Sequence, residues 1–367
     1  MAEYHVSTID ELFTLLKDFT DLDKTIFIDN DIDFNDTNYW NKDANFCTIP
    51  YTDSSTLYTI TINGQNHSLT NIYLYPDRSF IAISAPTGSG STASVGLVKL
   101  NLKNIKFEVM SNSSYFIRYI PRLDFDNCQF NMKLYGITGN TMFYCRGANI
   151  PASVVATNTL FNIYINSTGS GFSYTGSTNY GQVMKIEYEY NGSTSLRIES
   201  SVIKIQNRTP YALGCYAKYG MFYCDGYYSQ NTTINNSAIF YNDVGNTKPN
   251  YSTDMSLYKY ICITNQGYTG NSPNKCMTKT INSYFASFGT PSNKPIIAVS
   301  FYNSYATPRT ETSSCFFDND KLACYYHTSS GMTKIDKSYG CAQLTTAQCK
   351  DPDALSEAGF IFAEETN

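Results

Sequence analysis

The sequence predicts an all-β protein. It is read as a right-handed parallel β-helix, with an amphipathic capping helix at the start and a short helix at the end. Three observations carry that prediction. The heptapeptide TMFYCRG at 141–147 returns as GMFYCDG at 220–226, 79 residues later. A pattern of two alternating apolar stretches joined at an asparagine recurs along most of the chain. The composition is dominated by Asn, Ser, Thr, Tyr and Ile, which form strands and turns rather than helices.

The chain opens on STIDELFTLLKDF, where Ile9, Leu12, Phe13, Leu16 and Phe19 fall on one helical stripe. Thr8 and Glu11 have the spacing of a capping box. Residues 1–22 are therefore assigned as a cap, because the open strand edges at a solenoid's end must be covered. KTIFIDNDIDF follows as the first strand, and 23–310 forms the solenoid body.

Within that body the joining asparagines are Asn104 in LNLKNIKFEV, Asn127 in LDFDNCQFNM, Asn158 in VATNTLFNIYI and Asn236 in TTINNSAIFYN. Asn282 in TKTINSYFASF and Asn303 in VSFYNSYATPR extend the series, and HSLTNIYLY around Asn71 is placed with them. Met142 and Met221 precede Asn158 and Asn236 by sixteen and fifteen residues, and Met184 precedes Ser200 in LRIESSVIKI by sixteen. The interval of 79 is thus two units, of 42 and 37 residues. Each unit alternates with period two on both sides of a polar hinge, with no helix-length apolar pattern between its strands. One unit is one coil, and the chain holds roughly eight to ten of them.

Stacked coils lie about 4.8 Å apart, so equivalent side chains form ladders. Hinge asparagines can then hydrogen-bond to those above and below. Cys145 and Cys224 fall in equivalent rows as small buried hydrophobes, with no basic neighbour common to both copies to activate them. The heptapeptide is structural. Insertions at 166–182 and 242–256 read as projecting loops. Residues 311–367 are assigned as a second cap, in which Asp351, Pro352 and Gly359 bound a short helix.

A net charge of −5 with no basic run excludes a nucleic-acid footprint. No stretch is apolar for long enough to cross a bilayer, and MAEYHVSTIDELF has neither the basic nor the apolar region of a signal peptide. Synthesis in the cytoplasm without export is expected, which keeps most of the eleven cysteines as thiols.

β-helices that cleave polysaccharides need outward carboxylates on neighbouring coils. One outward column aligns Asn101, Asp124, Val155, Arg197, Thr233 and Ser300, and the next aligns Lys103, Asp126, Thr157, Glu199, Asn235 and Tyr302. Neither places two acids on adjacent coils. Asp124 and Asp126 share one strand face and are the catalytic candidates only if the protein is an enzyme. Cys315, Cys324, His327, Cys341 and Cys349 crowd the end of the chain without a close Cys-x-x-Cys pair, so no metal and no cofactor is predicted. Tyr180, Tyr227, Tyr228 and Tyr268 lie in Gly-, Ser- and Asn-rich segments suited to adaptable binding, and they are the candidate binding residues.

The opening STIDELFTLLKDF…TIFIDNDIDF with LYTITINGQNHSLTNIYLY, the VGLVKLNLKNIKF at 95–107 and the terminal LTTAQCKDPDALSEAGFIF resemble bacterial β-helix surface proteins with GLUG-type coils. The resemblance covers about the first 110 and the last 25 residues, and such coils serve adhesins, carbohydrate enzymes and phage fibres alike. Exported adhesins carry signal peptides, so the resemblance points to a bacteriophage virion protein of a tail, collar or head fibre or spike. The implied function is non-enzymatic, structural and adhesive. The expected partners are neighbouring virion proteins or a host-surface polysaccharide, with the chain acting as a homo-oligomer or in many copies per particle. The alternatives are a carbohydrate-cleaving tail spike and a bacterial surface adhesin.

Overall fold

A strand that alternates apolar and polar residues has one face to bury, and winding the chain into stacked strands buries it without a second domain. The computed structural model describes residues 1–18, 20–35, 47–49, 57–74, 78–83, 97–111, 115–134, 141–147, 150–165, 182–188, 192–207, 222–226, 229–243, 263–267, 275–281, 283–288, 299–302, 309–313, 316–318, 324–328, 331–335 and 342–344. They form three sheets of ten strands each. The first stacks Ala2–Val6, Lys24–Ile28, Tyr58–Asn63, Val98–Lys103, Arg122–Asp126, Ala152–Thr157, Thr194–Glu199, Ser229–Asn235, Lys275–Ile281 and Arg309–Ser313.

The second sheet takes the strands that follow those from Lys24–Ile28 onward, from Ile32–Asp33 through Lys106–Ser111, Gln129–Leu134, Leu160–Ile165, Val202–Asn207 and Ala238–Asp243 to Phe316–Asp318, and ends on Ala342–Leu344, which comes after the last strand of the third sheet. The third takes the next, from Cys47–Ile49 through Ile117–Arg118, Thr141–Gly147, Gln182–Tyr188 and Phe222–Gly226 to Cys324–Thr328 and Gly331–Ile335. Pairing is parallel in all three, apart from the antiparallel pair formed by the last two strands of the third sheet. Visited in the order first, second, third and first again, the sheets make an all-β solenoid. Strands continue past residue 310, where the sequence reading sets the start of the terminal cap.

The helix α1 spans Ile9–Lys17. Thr8 accepts from the Glu11 N–H, and the Glu11 carboxylate accepts from the N–H groups of Thr8 and Ser7 at 3.1 and 2.8 Å. Ile9, Leu12, Phe13 and Leu16 are buried, and the Phe13 ring lies 6.1 and 5.9 Å from Phe34 and Phe80. Lys24, 1% exposed, donates to the carbonyls of Leu15 and Asp18 at 2.8 and 2.6 Å. It therefore satisfies acceptors that the end of a helix leaves open. Phe19 and the helix expected over 351–359 lie outside the described residues.

Asn104, Asn127, Asn158 and Asn236, with Ser200, join a first-sheet strand to a second-sheet strand, at φ of 49°, 53°, 48°, 48° and 46°. Asparagine is enriched in this left-handed region among residues with a Cβ, because its short amide bonds locally. Each hinge N–H donates to the carbonyl just before the next hinge or its equivalent, at 3.0–3.1 Å. The side chains add the ladder: Asn127 Nδ2 reaches Asn104 Oδ1 at 2.8 Å, Asn104 reaches Asn63 at 3.3 Å, and Asn236 reaches Ser200 Oγ at 3.2 Å.

A second ladder runs directly inside the first. The residues after the hinges are Cys128, Thr159, Ser201, Ser237 and Ser283, all buried. The N–H of each of the first four donates to the side-chain oxygen of the next, at 3.4, 3.1, 3.1 and 3.3 Å. Each hydroxyl in turn donates to the carbonyl two residues before it, at 2.9 Å for Thr159 and 2.7 Å for the three serines. The buried polar groups of the corner are thus paired in a chain across five coils.

Three assignments are corrected. Asn71 is not a hinge: it sits at φ 57° inside Ser68–Leu74, where the register against Lys106–Ser111 slips between Leu69 and Ile72. The turn opposite Asn104 is the longer Gly64–His67, and Gly64 approaches so closely that a Cβ would fall 2.5 Å from Ile105 Cβ. Ser300 and Tyr302 belong to the third sheet, so the outward columns continue from Thr233 and Asn235 to Lys279 and Ile281. Asn282 and Asn303 lie outside the described residues, and the strand before Asn303, Val299–Tyr302, is in the third sheet. The cause is common to these. A coil holds three alternating strands, and period two alone cannot say which one precedes the hinge.

The interior is filled by phenylalanine. Phe107, Phe130 and Phe161 stack in successive coils at 5.0 and 5.1 Å with their planes 5° and 6° apart. Phe125 and Phe143 from the other two sheets meet Phe130 edge-on at 5.0 and 5.2 Å. Phe125 is followed in its column by the small Ala156, which leaves room for Phe161 at 5.7 Å.

Replacing Ser201 by Ala deprives the Thr159 N–H of its acceptor in a buried corner, and is expected to cost about 1–3 kcal/mol in urea unfolding. At the hinge itself, Asn127→Ala is expected to destabilise more than Asn127→Gly, since glycine takes left-handed φ without penalty. Equal loss in the two hinge variants would contradict the left-handed hinge.

Candidate functional site

The repeated heptapeptide is placed by the third sheet. Phe143, Met184 and Phe222 are register partners on successive strands, as are Cys145, Ile186 and Cys224. The two cysteines therefore share a column two strands apart. Aligning Met142 with Met184 is one residue out, and a slip of one would exchange core and solvent faces. Cys145 and Cys224 are buried outside any disulfide, as are Cys47 and Cys128. Burial pushes the Cys47 and Cys128 thiols up to about 12 and raises Cys145 well above the ordinary value. These sulfurs fill the core and are poor nucleophiles.

Asp124 and Asp126 lie on one face of Arg122–Asp126, as their spacing requires. Their register partners are Asn101 and Lys103 on one side, Val155 and Thr157 on the other, so no carboxylate stands opposite either. Lys99 pairs with Asp124, and Lys103 Nζ stands 3.9 Å from Asp126. Glu199, further along the second column, pairs with Arg197 on its own strand. Lysine and arginine neighbours of this kind hold carboxylates in their ordinary solvated role.

Tyr180, Tyr227, Tyr228 and Tyr268 lie outside the described residues, as do Cys315, Cys341 and Cys349. Cys324 and His327 are placed only as positions on Cys324–Thr328. No helix of the described residues is long and apolar enough to cross a membrane.

Among the described residues, a group of polar and aromatic side chains stands on the side of the third sheet away from the core, with Tyr144 and Lys185 themselves buried in it. Ile117 points into the core, so Arg118, its neighbour on the strand, points out. Along the stacking direction Arg118 is followed by Tyr144 and then Lys185. The Arg118 guanidinium lies 4.5 Å from the ring centre of Tyr115 and 4.3 Å from that of Tyr119, and it donates to the Tyr119 hydroxyl. Arg146 reaches the other side of this group, 5.7 Å from the Tyr119 ring. Tyr115 stacks on Tyr144 at 5.7 Å, and the Tyr144 hydroxyl donates to Glu187, which is also paired with Lys185. Burial, and then the Glu187 charge, raise the Tyr144 hydroxyl well above its ordinary range, so it stays a donor.

Sequence reasoning missed this face because it traced outward columns only along the strands next to the hinges and read the heptapeptide strands for their core row alone. The signal was present. Once Phe143, Cys145, Met184 and Ile186 are set inward, Tyr144 with Arg146 and Lys185 with Glu187 must stand on the opposite face. What such an arrangement can do is hold planar cations against aromatic faces, with Arg118, Tyr144 and Arg146 placed by their strands and Tyr115 and Tyr119 by the segments flanking Ile117–Arg118. No family model, curated protein or solved structure matches this chain.

With the native protein at pH 8, Cys47, Cys128, Cys145 and Cys224 are expected to resist an aromatic disulfide reagent and to react fully after unfolding in guanidinium. Peptide mapping of the labelled sites checks this. Fast labelling of Cys145 or Cys224 in the native state would overturn their assignment to the core.

Proposed function

We propose that this chain is a right-handed parallel β-helix, helix-capped at its ends, that serves as a non-enzymatic structural and adhesive component of a bacteriophage virion. Right-handed winding is the general preference for parallel strands joined by crossovers. The protein would stand in a tail, collar or head fibre or spike, as a homo-oligomer or in many copies. Its contact would be a host-surface glycan or a neighbouring virion protein. The observation that carries the adhesive part is the partly exposed Tyr115–Arg118–Tyr119 group, packed on the buried Tyr144 ring, because aromatic and arginine side chains held in place give contact area at little entropic cost. The ion-paired state of Asp124 and Asp126 favours a scaffold over a hydrolase on the first sheet.

A second reading, a glycan-cleaving spike, has one observation in its favour. Glu187 and Asp225 are register partners on adjacent strands of the third sheet. Partner positions on adjacent strands lie about 5 Å apart, and a retaining glycosidase draws its two acids from positions of about that spacing.

The test is to incubate the purified chain with host-envelope polysaccharide and with extracts of phage particles, and to measure both retention and the release of reducing ends. The proposal expects retention with no release. Release that disappears in Glu187→Gln would replace it by the hydrolase reading, and retention by neither material would sink the adhesive role.

A further inference from the structure

The adhesive reading leaves open what chemistry the third-sheet face recognises, and the geometry of Arg118 narrows it. Three features of that residue stand together. Its guanidinium is clamped between the rings of Tyr115 and Tyr119, at 4.5 and 4.3 Å, while the residue stays partly exposed. Its partner among the described residues is a neutral hydroxyl, that of Tyr119, and its Nε is buried with no hydrogen-bond partner. Four outward cations on the sheets, Lys99, Lys103, Lys185 and Arg197, stand beside a carboxylate, which the Arg118 guanidinium does not among the described residues.

Tyr119 supplies an independent observation. It is held at φ 64°, a left-handed conformation that a bulky aromatic residue adopts only at a cost. The N–H of Tyr119 is anchored to the Tyr144 carbonyl at 2.8 Å, which fixes the turn that carries the ring beneath Arg118. Phe116, Ile117 and Ile120 on either side are core residues at 2%, 0% and 0% exposure, so the segment has no slack to relax the turn. The chain thus keeps a strained aromatic residue in order to present one flat cation that no acid of the described residues neutralises.

A guanidinium fixed in this way is set to take a planar carboxylate through paired N–H donors. The partly exposed edges of the Tyr115 and Tyr119 rings outside the clamp add apolar surface against which the C–H groups of a pyranose ring can lie. We infer that Arg118, with Tyr115 and Tyr119, forms a subsite for an acidic saccharide, a sugar ring that carries a carboxylate. This deepens the proposed adhesive function and rests on it. Lys185 and Glu187 neutralise one another two strands away, so the attraction at the site comes from Arg118. The chain as a whole carries −5, so an acidic polymer would be drawn to this face and repelled elsewhere.

The experiment is affinity electrophoresis of the full chain through gels containing polygalacturonate, dextran sulfate or neutral dextran. The wild type, Arg118→Ala, Arg118→Lys and Tyr119→Gly are compared, with unfolding curves run alongside. Polygalacturonate is expected to retard the wild type most, and retardation should weaken as salt rises. Arg118→Ala should weaken it roughly tenfold or more, as loss of a charge-assisted bidentate contact does. Arg118→Lys should recover little of that loss, because an ammonium lacks the planar fork. Tyr119→Gly removes a ring packed against the core while relieving the left-handed turn, and should lose binding while the protein still unfolds in one cooperative transition, which separates recognition from folding. Equal retardation of wild type and Arg118→Ala on polygalacturonate would overturn the inference, as would a preference for dextran sulfate. Retention on neutral dextran that Arg118→Ala leaves intact would overturn it while sparing the adhesive reading. Retention on none of the gels would count against the glycan-binding form of both.

Discussion

One left-handed residue per coil sets the rest of this structure. At Asn104, Asn127, Asn158, Ser200 and Asn236 the chain leaves the first sheet and enters the second, with φ near +50° each time. A corner turned by a single residue leaves its neighbours' polar groups pointing along the solenoid axis, inside a wall that excludes water. The asparagine ladder and the buried Cys128–Thr159–Ser201–Ser237–Ser283 row are the two answers to that problem. Because each hydroxyl serves its own coil and the one before, the row also locks register from coil to coil. A slip of one residue would strand every N–H in it.

Fixed register is what gives the columns their meaning. It lets Phe107, Phe130 and Phe161 stack within 6° of parallel, and lets the small Ala156 follow Phe125. It also decides that the cysteines of the repeated heptapeptide are core atoms, and that Tyr144 and Lys185 sit outside, in line with Arg118. The same stacking that buries the core therefore builds the aromatic and cationic face. Neither could be altered without the other.

Much of this was legible in the sequence. α1 could be read from Thr8, Glu11 and the Ile9–Leu12–Phe13–Leu16 stripe, because helix capping and amphipathic spacing are local signals. The hinge asparagines between 104 and 236 were legible for a similar reason, since a left-handed corner restricts residue type. Asn71 and Asn303 show where that signal fails: an asparagine after an alternating stretch also fits a bulge, or the end of a third-sheet strand. The hydroxyl row was hidden because serine and threonine are common throughout this chain and carry no periodicity of their own. The Arg118 face was hidden for another reason. Ile117–Arg118 is two residues long, too short for alternation to register, and its position is set by pairing with Ile81–Ile83 and Thr141–Gly147.

The central claim is that the hinges hold the coils in one register, and it can be read directly by cross-linking. Asn131 and Asn162 are register partners on the outer side of the second sheet, and the Asn162 side-chain amide donates to Asn131 at 3.4 Å. Cysteines at partner positions of adjacent strands lie within the Cα separation a disulfide needs, whereas a displacement of two residues along the strand takes them beyond about 7 Å. The measurement is oxidation of Asn131→Cys/Asn162→Cys beside Asn131→Cys/Tyr164→Cys, with the bond located by peptide mass spectrometry. This structure predicts a bond between positions 131 and 162 and none between 131 and 164. A bond that forms equally well in both pairs, or only in the second, would contradict it.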